Sequence, residues 1–179
     1  MDEFFMQQAI RAAEQARAVG EVPVGAVIMK DGVEIAAAAN AMRASADPTA
    51  HAEMEAIRMA ARVLGQERLE GCHLWVTLEP CAMCAGAIAH ARIARLYYAA
   101  SDPKGGAVEH GARVFEQPQT LHRPEVYSGI GDAADVVNLD AAVDLQPNIA
   151  AAGVDALARL LDLAQRRVDE ALAAKAWVD

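Results

Sequence analysis

Asp31-Gly32 lies between two apolar runs, "VGAVIMK" and "VEIAAAAN", and this arrangement constrains the fold more than any other stretch. Asp-Gly takes the positive-φ positions of a tight turn with little strain, so the two runs predict an antiparallel hairpin. Downstream, strands are separated by helices. "AHAEMEAIRMAARVLG" reads as a helix stopped by Gly65, with Met54, Ile57, Ala61 and Val63 expected on its inner side. "CHLWVTL" reads as a third strand, "CAMCAGAIAHARI" as a second helix and "ARLYYAA" as a fourth strand. Upstream, Phe5, Ala9, Ala12, Ala13 and Ala16 recur at helical spacing before Gly20. A hairpin followed by strand–helix alternation predicts a mixed α/β sheet with helices on both faces. "CHLWVTL" lacks polar alternation, as expected of a central strand covered on both sides. Residues 101–131 read as loop, punctuated by Gly105, Gly106, Pro118, Pro124, Gly129 and Gly131.

At 179 residues the chain is long enough for one well-buried core, and 54% of it is apolar. The expected division is a first domain over residues 1–131 and an acidic, Ala-rich helical extension over 132–179. That extension ends in an amphipathic helix at roughly 154–176 that carries Leu157, Leu160, Leu161, Val168 and Leu172. Charge follows the same division. Residues 1–131 hold 12 Lys and Arg against 16 Asp and Glu, a net −4; residues 132–179 hold 4 against 9, a net −5. The overall −9 argues against broad polyanion binding but leaves room for a local basic site on the first part. Three cysteines form no disulfide framework, which points to a reducing compartment. The N-terminus lacks the pattern of a secretory signal, and His90, Arg92 and Arg95 interrupt the most apolar stretch. These features predict a cytoplasmic protein with no membrane partner.

Two of the three cysteines stand in "VTLEPCAMC", at the start of a helix. Cys81 and Cys84, three residues apart, present both sulfurs on one face, and a helix N-terminus favours the thiolate form that binds metal. The other notable stretch is "HAE" at 51–53. In a regular helix His51 and Glu53 would point about 200° apart. They converge only if His51 lies in the cap, and Pro48 favours that by delaying the helix start. His51, Cys81 and Cys84 then offer an S₂N set suited to Zn²⁺. A fourth protein ligand is out of reach: Cys72 is roughly 30 Å away along an extended strand. The fourth position is therefore expected to hold water, whose pKa an open zinc site lowers towards neutrality. Glu53, near the ion without ligating it, is placed to move protons. Two other readings of the cysteine pair remain, a redox dithiol and a closed structural zinc. The first leaves H-x-E without a role and the second lacks a ligand. His73, His90, His110 and His122 read as surface or packing residues.

H-A-E followed by P-C-x-x-C is the signature of zinc-dependent nucleobase deaminases. With "GEVPVGAV", "DPTAHAEM", "VTLEPCAMCAGAI", "DPKGGAVEHG" and "HRPEVYSGIG", residues 4–131 resemble bacterial tRNA-specific adenosine deaminases, which convert the wobble adenosine of an anticodon to inosine. The resemblance implies a three-layer α/β/α cytidine-deaminase-like fold with a mixed central sheet, followed here by the helical extension. It also implies a homodimer, one Zn²⁺ per subunit and a tRNA anticodon stem-loop as partner. Zinc ligands would be His51, Cys81 and Cys84, and the proton shuttle Glu53. Asn40 would contact the flipped nucleoside, and Asp102 and Lys104 the anticodon backbone. The chain departs from the family after Gly131. Members usually close with a short helix carrying aromatic and basic residues, whereas this chain continues acidic, with no aromatic between Tyr127 and Trp177.

Two alternatives stand beside tRNA editing. The same chemistry could serve a free base or nucleoside of the guanine or cytosine type, which suits the acidic balance. A catalytically silent RNA-binding or dimerisation module could retain the zinc, although an intact His51, Glu53, Cys81 and Cys84 set argues against it.

Overall fold

Asp31 and Gly32 both adopt positive φ, 50° and 77°, and join β1 (Gly25–Lys30) to β2 (Val33–Ala39) in the expected antiparallel hairpin. The computed structural model describes residues 2–131. The boundary at 131/132 and the helix anticipated near 154–176 lie at the edge of or outside the described residues. In chain order the remaining elements are α1 (Asp2–Ala18), α2 (Met42–Ser45), α3 (Ala52–Leu64), β3 (His73–Leu78), α4 (Ala82–His90), β4 (Arg95–Ala100) and β5 (Glu125–Ser128). One sheet runs β2-β1-β3-β4-β5. The pairs β2–β1 and β1–β3 are antiparallel, and β3–β4 and β4–β5 are parallel. The sheet is mixed, as its sequence pattern required, and β3 is central.

Strand residues alternate between two cores. Ala26, Ile28, Leu74, Val76, Leu96 and Tyr98 face α3 and α4, meeting Ala52, Ala56, Ala60, Ala85 and Ile88. Val27, Met29, Trp75 and Tyr97 face α1, meeting Phe5, Met6, Ala9, Ile10 and Ala13. Both faces are apolar, which explains why β3 shows no polar alternation. α1 sits so close to β1 that a Cβ at Gly25 would lie 2.0 Å from the Ala9 carbonyl oxygen. Only glycine fits there.

Three expectations need correction. The inner face of α3 is formed by Ala52, Glu53, Ala56 and Ala60, not by its larger apolar residues. Met54, Ile57 and Ala61 are only partly buried, and Val63 is 62% exposed. Small side chains let the helix approach the sheet closely, while Ile57 and Ala61 pack against the same core from its margin, so periodicity found only part of the stripe. The polar stretch "AMRASADPT" predicts a loop, yet it contains α2, one short turn whose Arg43 and Ala44 N–H groups donate to Glu21 Oε1, both at 2.8 Å. The loop-rich stretch 101–131 also contains β5. It is an edge strand whose middle residue, Val126, packs on the core while its neighbours stay out. Among the described residues, no helix is long and apolar enough to cross a membrane.

Candidate metal centre

α3 and α4 begin side by side, each with a metal-ligating residue in its N-cap. His51 caps α3 in extended backbone (φ −76°, ψ 152°), and Cys81 caps α4 in the same region (φ −70°, ψ 173°). The turn before His51 is held from both sides. Asp47 Oδ1 accepts from the Thr49 N–H and hydroxyl, both at 2.7 Å, and Arg58 of α3 donates to Thr49 Oγ1 at 3.1 Å. Asn40, at the end of β2, accepts the Ala52 N–H at 2.8 Å, so its side chain ties β2 to the first turn of α3.

His51 Nδ1 lies 3.8 Å from Cys81 Sγ and 3.6 Å from Cys84 Sγ, and the three donor atoms are within 4.8 Å of one another. With Zn–S near 2.3 Å and Zn–N near 2.0–2.1 Å, a tetrahedral ion sets the S···N edge at about 3.6 Å. The observed edges match, and the donors are those zinc favours. His51, Cys81 and Cys84 are the whole group of metal-capable side chains found among the described residues. Three protein donors leave a tetrahedron one position short. Cys72 is buried away from the pair, and all three cysteines are free thiols.

Electrostatics at the cysteines follow from their contact. Without metal the pair shares a proton: the Cys84 thiol donates to Cys81, lowering Cys81 to about 5, and Cys84 is raised in turn. A thiol whose pKa is lowered in this way gives up its proton to a metal more readily. Glu53 occupies the first turn of α3, 3% exposed, and its Oε2 is buried with no hydrogen-bond partner. Burial pushes the Glu53 carboxyl up, and the neighbouring Cys81 adds to this. With His51 in the cap, the structure sets a buried acid with one idle oxygen beside the three-donor group. Its idle atom is itself a sign that the site is built for a further group.

The three expected substrate residues are placed differently from one another. Asn40 is 5% exposed at the base of the site. Asp102 is half-buried and builds its own turn, Oδ1 accepting the N–H of Lys104 and Gly105 at 2.9 Å each. Lys104 is exposed. Sequence reasoning passed over Glu79, two residues before Cys81. Its carboxylate is fully buried and accepts five hydrogen bonds from residues 102–110. Burial, the largest single influence, pulls its pKa up. The N–H groups of His110, Asp102 and Glu109 and the His110 ring outweigh it, holding Glu79 down to about 2. In the sequence it is a lone acid between an apolar strand and a proline, and its partners are too distant along the chain to mark it.

Comparison with known proteins agrees with this geometry. Residues 1–100 match the family model described as the cytidine and deoxycytidylate deaminase zinc-binding region. A tRNA-specific adenosine deaminase from Agrobacterium fabrum is 57% identical over 129 residues, covering 72% of this chain and 85% of that protein. A solved structure from work on A-to-I editing by tRNA:A34 deaminases at the wobble position aligns with a TM-score of 0.74 and 54% identity. It covers 76% of this chain and 98% of its own. Guanine deaminase from Bacillus subtilis aligns with a TM-score of 0.55 and 34% identity, covering 82% of this chain and 96% of its own. With the zinc-binding model over more than half its length, and a tRNA-specific relative at such identity, this chain belongs to the zinc-dependent deaminases, in the tRNA-specific adenosine deaminase family.

Proposed function

We propose that this protein deaminates adenosine to inosine at the wobble position of a tRNA anticodon, in the cytoplasm. In the balanced reaction, water adds its oxygen at C6, the C6–N bond breaks, and ammonia leaves. His51 Nδ1, Cys81 Sγ and Cys84 Sγ would hold the zinc, which supplies Lewis acidity at neutral pH when bound. Two thiolates balance the ion's charge, so a neutral purine meets no repulsion. Glu53 would relay the two protons of that water in turn through its idle Oε2, the first to the ring nitrogen beside C6 and the second to the departing amine. Its raised pKa suits that exchange, because a carboxyl disfavoured as an anion accepts a proton more readily than a solvated one. Asn40 has its oxygen engaged by α3, so what it can offer the base is its Nδ2 donor pair. A loop nucleotide reaches such a recess at lower cost than a paired one, since less stacking is broken.

The orphaned, buried oxygen of Glu53 next to the S₂N group is the observation that carries this reading. It is supported by the relative from Agrobacterium fabrum, named for tRNA-specific adenosine deamination. The readings for Asp102 and Lys104 as contacts to the anticodon backbone rest on the exposed loop they occupy. A homodimer is supported by the outward apolar residues of α3, with Met59 42% and Val63 62% exposed. Residues 132–179 are proposed as a separate acidic extension, on composition alone.

A second reading, deamination of a free base, is favoured by the likeness to guanine deaminase. One assay separates the two: inosine formed in an anticodon stem-loop against ammonia released from free guanine, cytosine and adenine. The proposal expects product from the stem-loop; ammonia from a free base alone would replace it with the second reading. A silent RNA-binding module would give neither product while retaining tRNA affinity.

A further inference from the structure

Glu79 has no part in holding zinc or moving protons, yet it is the most heavily hydrogen-bonded side chain around the centre. Its Oε1 accepts the N–H groups of Val108 at 3.1 Å, Glu109 at 2.9 Å and His110 at 3.0 Å. Its Oε2 accepts the Asp102 N–H at 3.0 Å and meets His110 Nδ1 at 2.7 Å. A carboxylate can only accept, so that ring nitrogen carries the hydrogen. All of these donors belong to one loop, and the first and last are its two ends.

The same loop is tied to the backbone next to a zinc ligand. Ala107 N–H donates to the Pro80 carbonyl at 2.9 Å, and Gly106 forms an antiparallel bridge with Cys81. A Cβ at Gly106 would lie 2.5 Å from Glu79 Cδ and 2.5 Å from the Asp102 carbonyl oxygen, so the loop passes over the carboxylate at a distance only glycine allows. From Asp102 the chain of bonds continues outward, because the Asp102 carboxylate sets the turn that presents Lys104. Local turn chemistry would form that turn but would not fix where it stands. Among the described side chains, Glu79 is the one that bonds both ends of the loop from the strand–helix junction, whose backbone holds only its middle.

We propose that Glu79 is a positioning residue for substrate binding: it latches the Asp102–His110 loop to the junction bearing Cys81, so that Lys104 meets the RNA backbone already ordered. This rests on the tRNA reading above. A loop ordered in advance loses little conformational entropy when substrate docks, so breaking the latch weakens binding more than it slows chemistry.

Glu79→Gln is the direct test, on the full-length zinc-loaded protein. The amide keeps the volume and one acceptor oxygen, but its NH₂ group faces the Asp102 N–H, which then has no partner. Hydrogen exchange at Asp102 should accelerate at least roughly tenfold, and KM for an anticodon stem-loop should rise roughly tenfold, the scale of one lost charge-assisted bond. The turnover number should change less, and zinc should remain stoichiometric. Unchanged exchange and KM would overturn the proposal. Loss of zinc together with turnover would also overturn it, by showing that Glu79 serves the metal helix instead. Should that variant not fold, His110→Ala removes one donor and leaves the carboxylate's backbone bonds. It should raise exchange and KM in the same direction, with His110→Asn restoring both. A His110→Ala protein matching the parent on both counts refutes the latch. If the parent makes no inosine in the stem-loop, the functional reading fails, whereas exchange and zinc content still decide the latch.

Discussion

Asn40 is asked to do two things, and two substitutions separate them. Its Oδ1 holds the Ala52 N–H at 2.8 Å in a position only 5% exposed. Asn40→Ala leaves that buried amide without an acceptor, at a cost of about 1–3 kcal/mol. For a chain of this size each kcal/mol moves Tm by roughly 2–4 °C, so the variant should melt about 2–12 °C below the parent. Asn40→Asp keeps an oxygen where the Ala52 N–H needs one and sets a negative charge at a helix N-terminus, worth about 0.3–1 kcal/mol in favourable cases. What it loses is the pair of Nδ2 hydrogens. If these donate to the target base, kcat/KM for a tRNA stem-loop should fall roughly 2- to 13-fold, the equivalent of one neutral hydrogen bond of about 0.5–1.5 kcal/mol. Calorimetry at fixed zinc gives the first quantity and inosine formation gives the second. Asn40→Asp at full activity would refute the substrate role, and Asn40→Ala melting with the parent would refute the structural one.

Other consequences can be checked alongside. Glu53→Ala or Glu53→Gln should keep one zinc per chain by metal analysis while lowering turnover about 10²- to 10⁴-fold, the usual worth of a positioned proton carrier. Cys84→Ser should lose zinc as well as activity, and a chelator should reproduce this in the parent, with recovery on adding zinc back. Gly25→Ala should push α1 off the sheet, since its Cβ would also lie 2.6 Å from the Ala13 nitrogen. A loss of about 1–3 kcal/mol or more by thermal unfolding is expected, with zinc content unaltered. Val63→Glu should convert a homodimer to monomers in sedimentation without changing zinc content; an unaltered oligomer would place the contact elsewhere.

What could be read in the sequence was what acts locally. Asp31-Gly32 set the hairpin because its turn needs positive φ at both positions, and Gly65 closed α3 at φ 65° for the same reason. The convergence of His51 with Glu53 could be argued because only a cap permits it, and the cap is where His51 stands. Long-range features stayed hidden. The partners of Glu79 lie 23 to 31 residues away, so nothing near it in the chain revealed a buried, satisfied carboxylate. The α3 stripe was only partly legible, with Ile57 and Ala61 at its margin, because alanines, weak in any hydrophobicity pattern, are what a close helix–sheet contact selects. β5 escaped notice because an edge strand of four residues, mostly exposed, has almost no apolar pattern to display. Asp102 shows the opposite difficulty: a residue expected to face substrate is also the one that builds its own loop.

X-ray absorption at the zinc edge, on the purified full-length protein, reaches the central claim most directly. The account predicts two sulfurs at about 2.3 Å, one imidazole, and one light atom that is not imidazole at about 2.0–2.1 Å. A third sulfur or a second imidazole would mean an ion closed off by protein, and would contradict it.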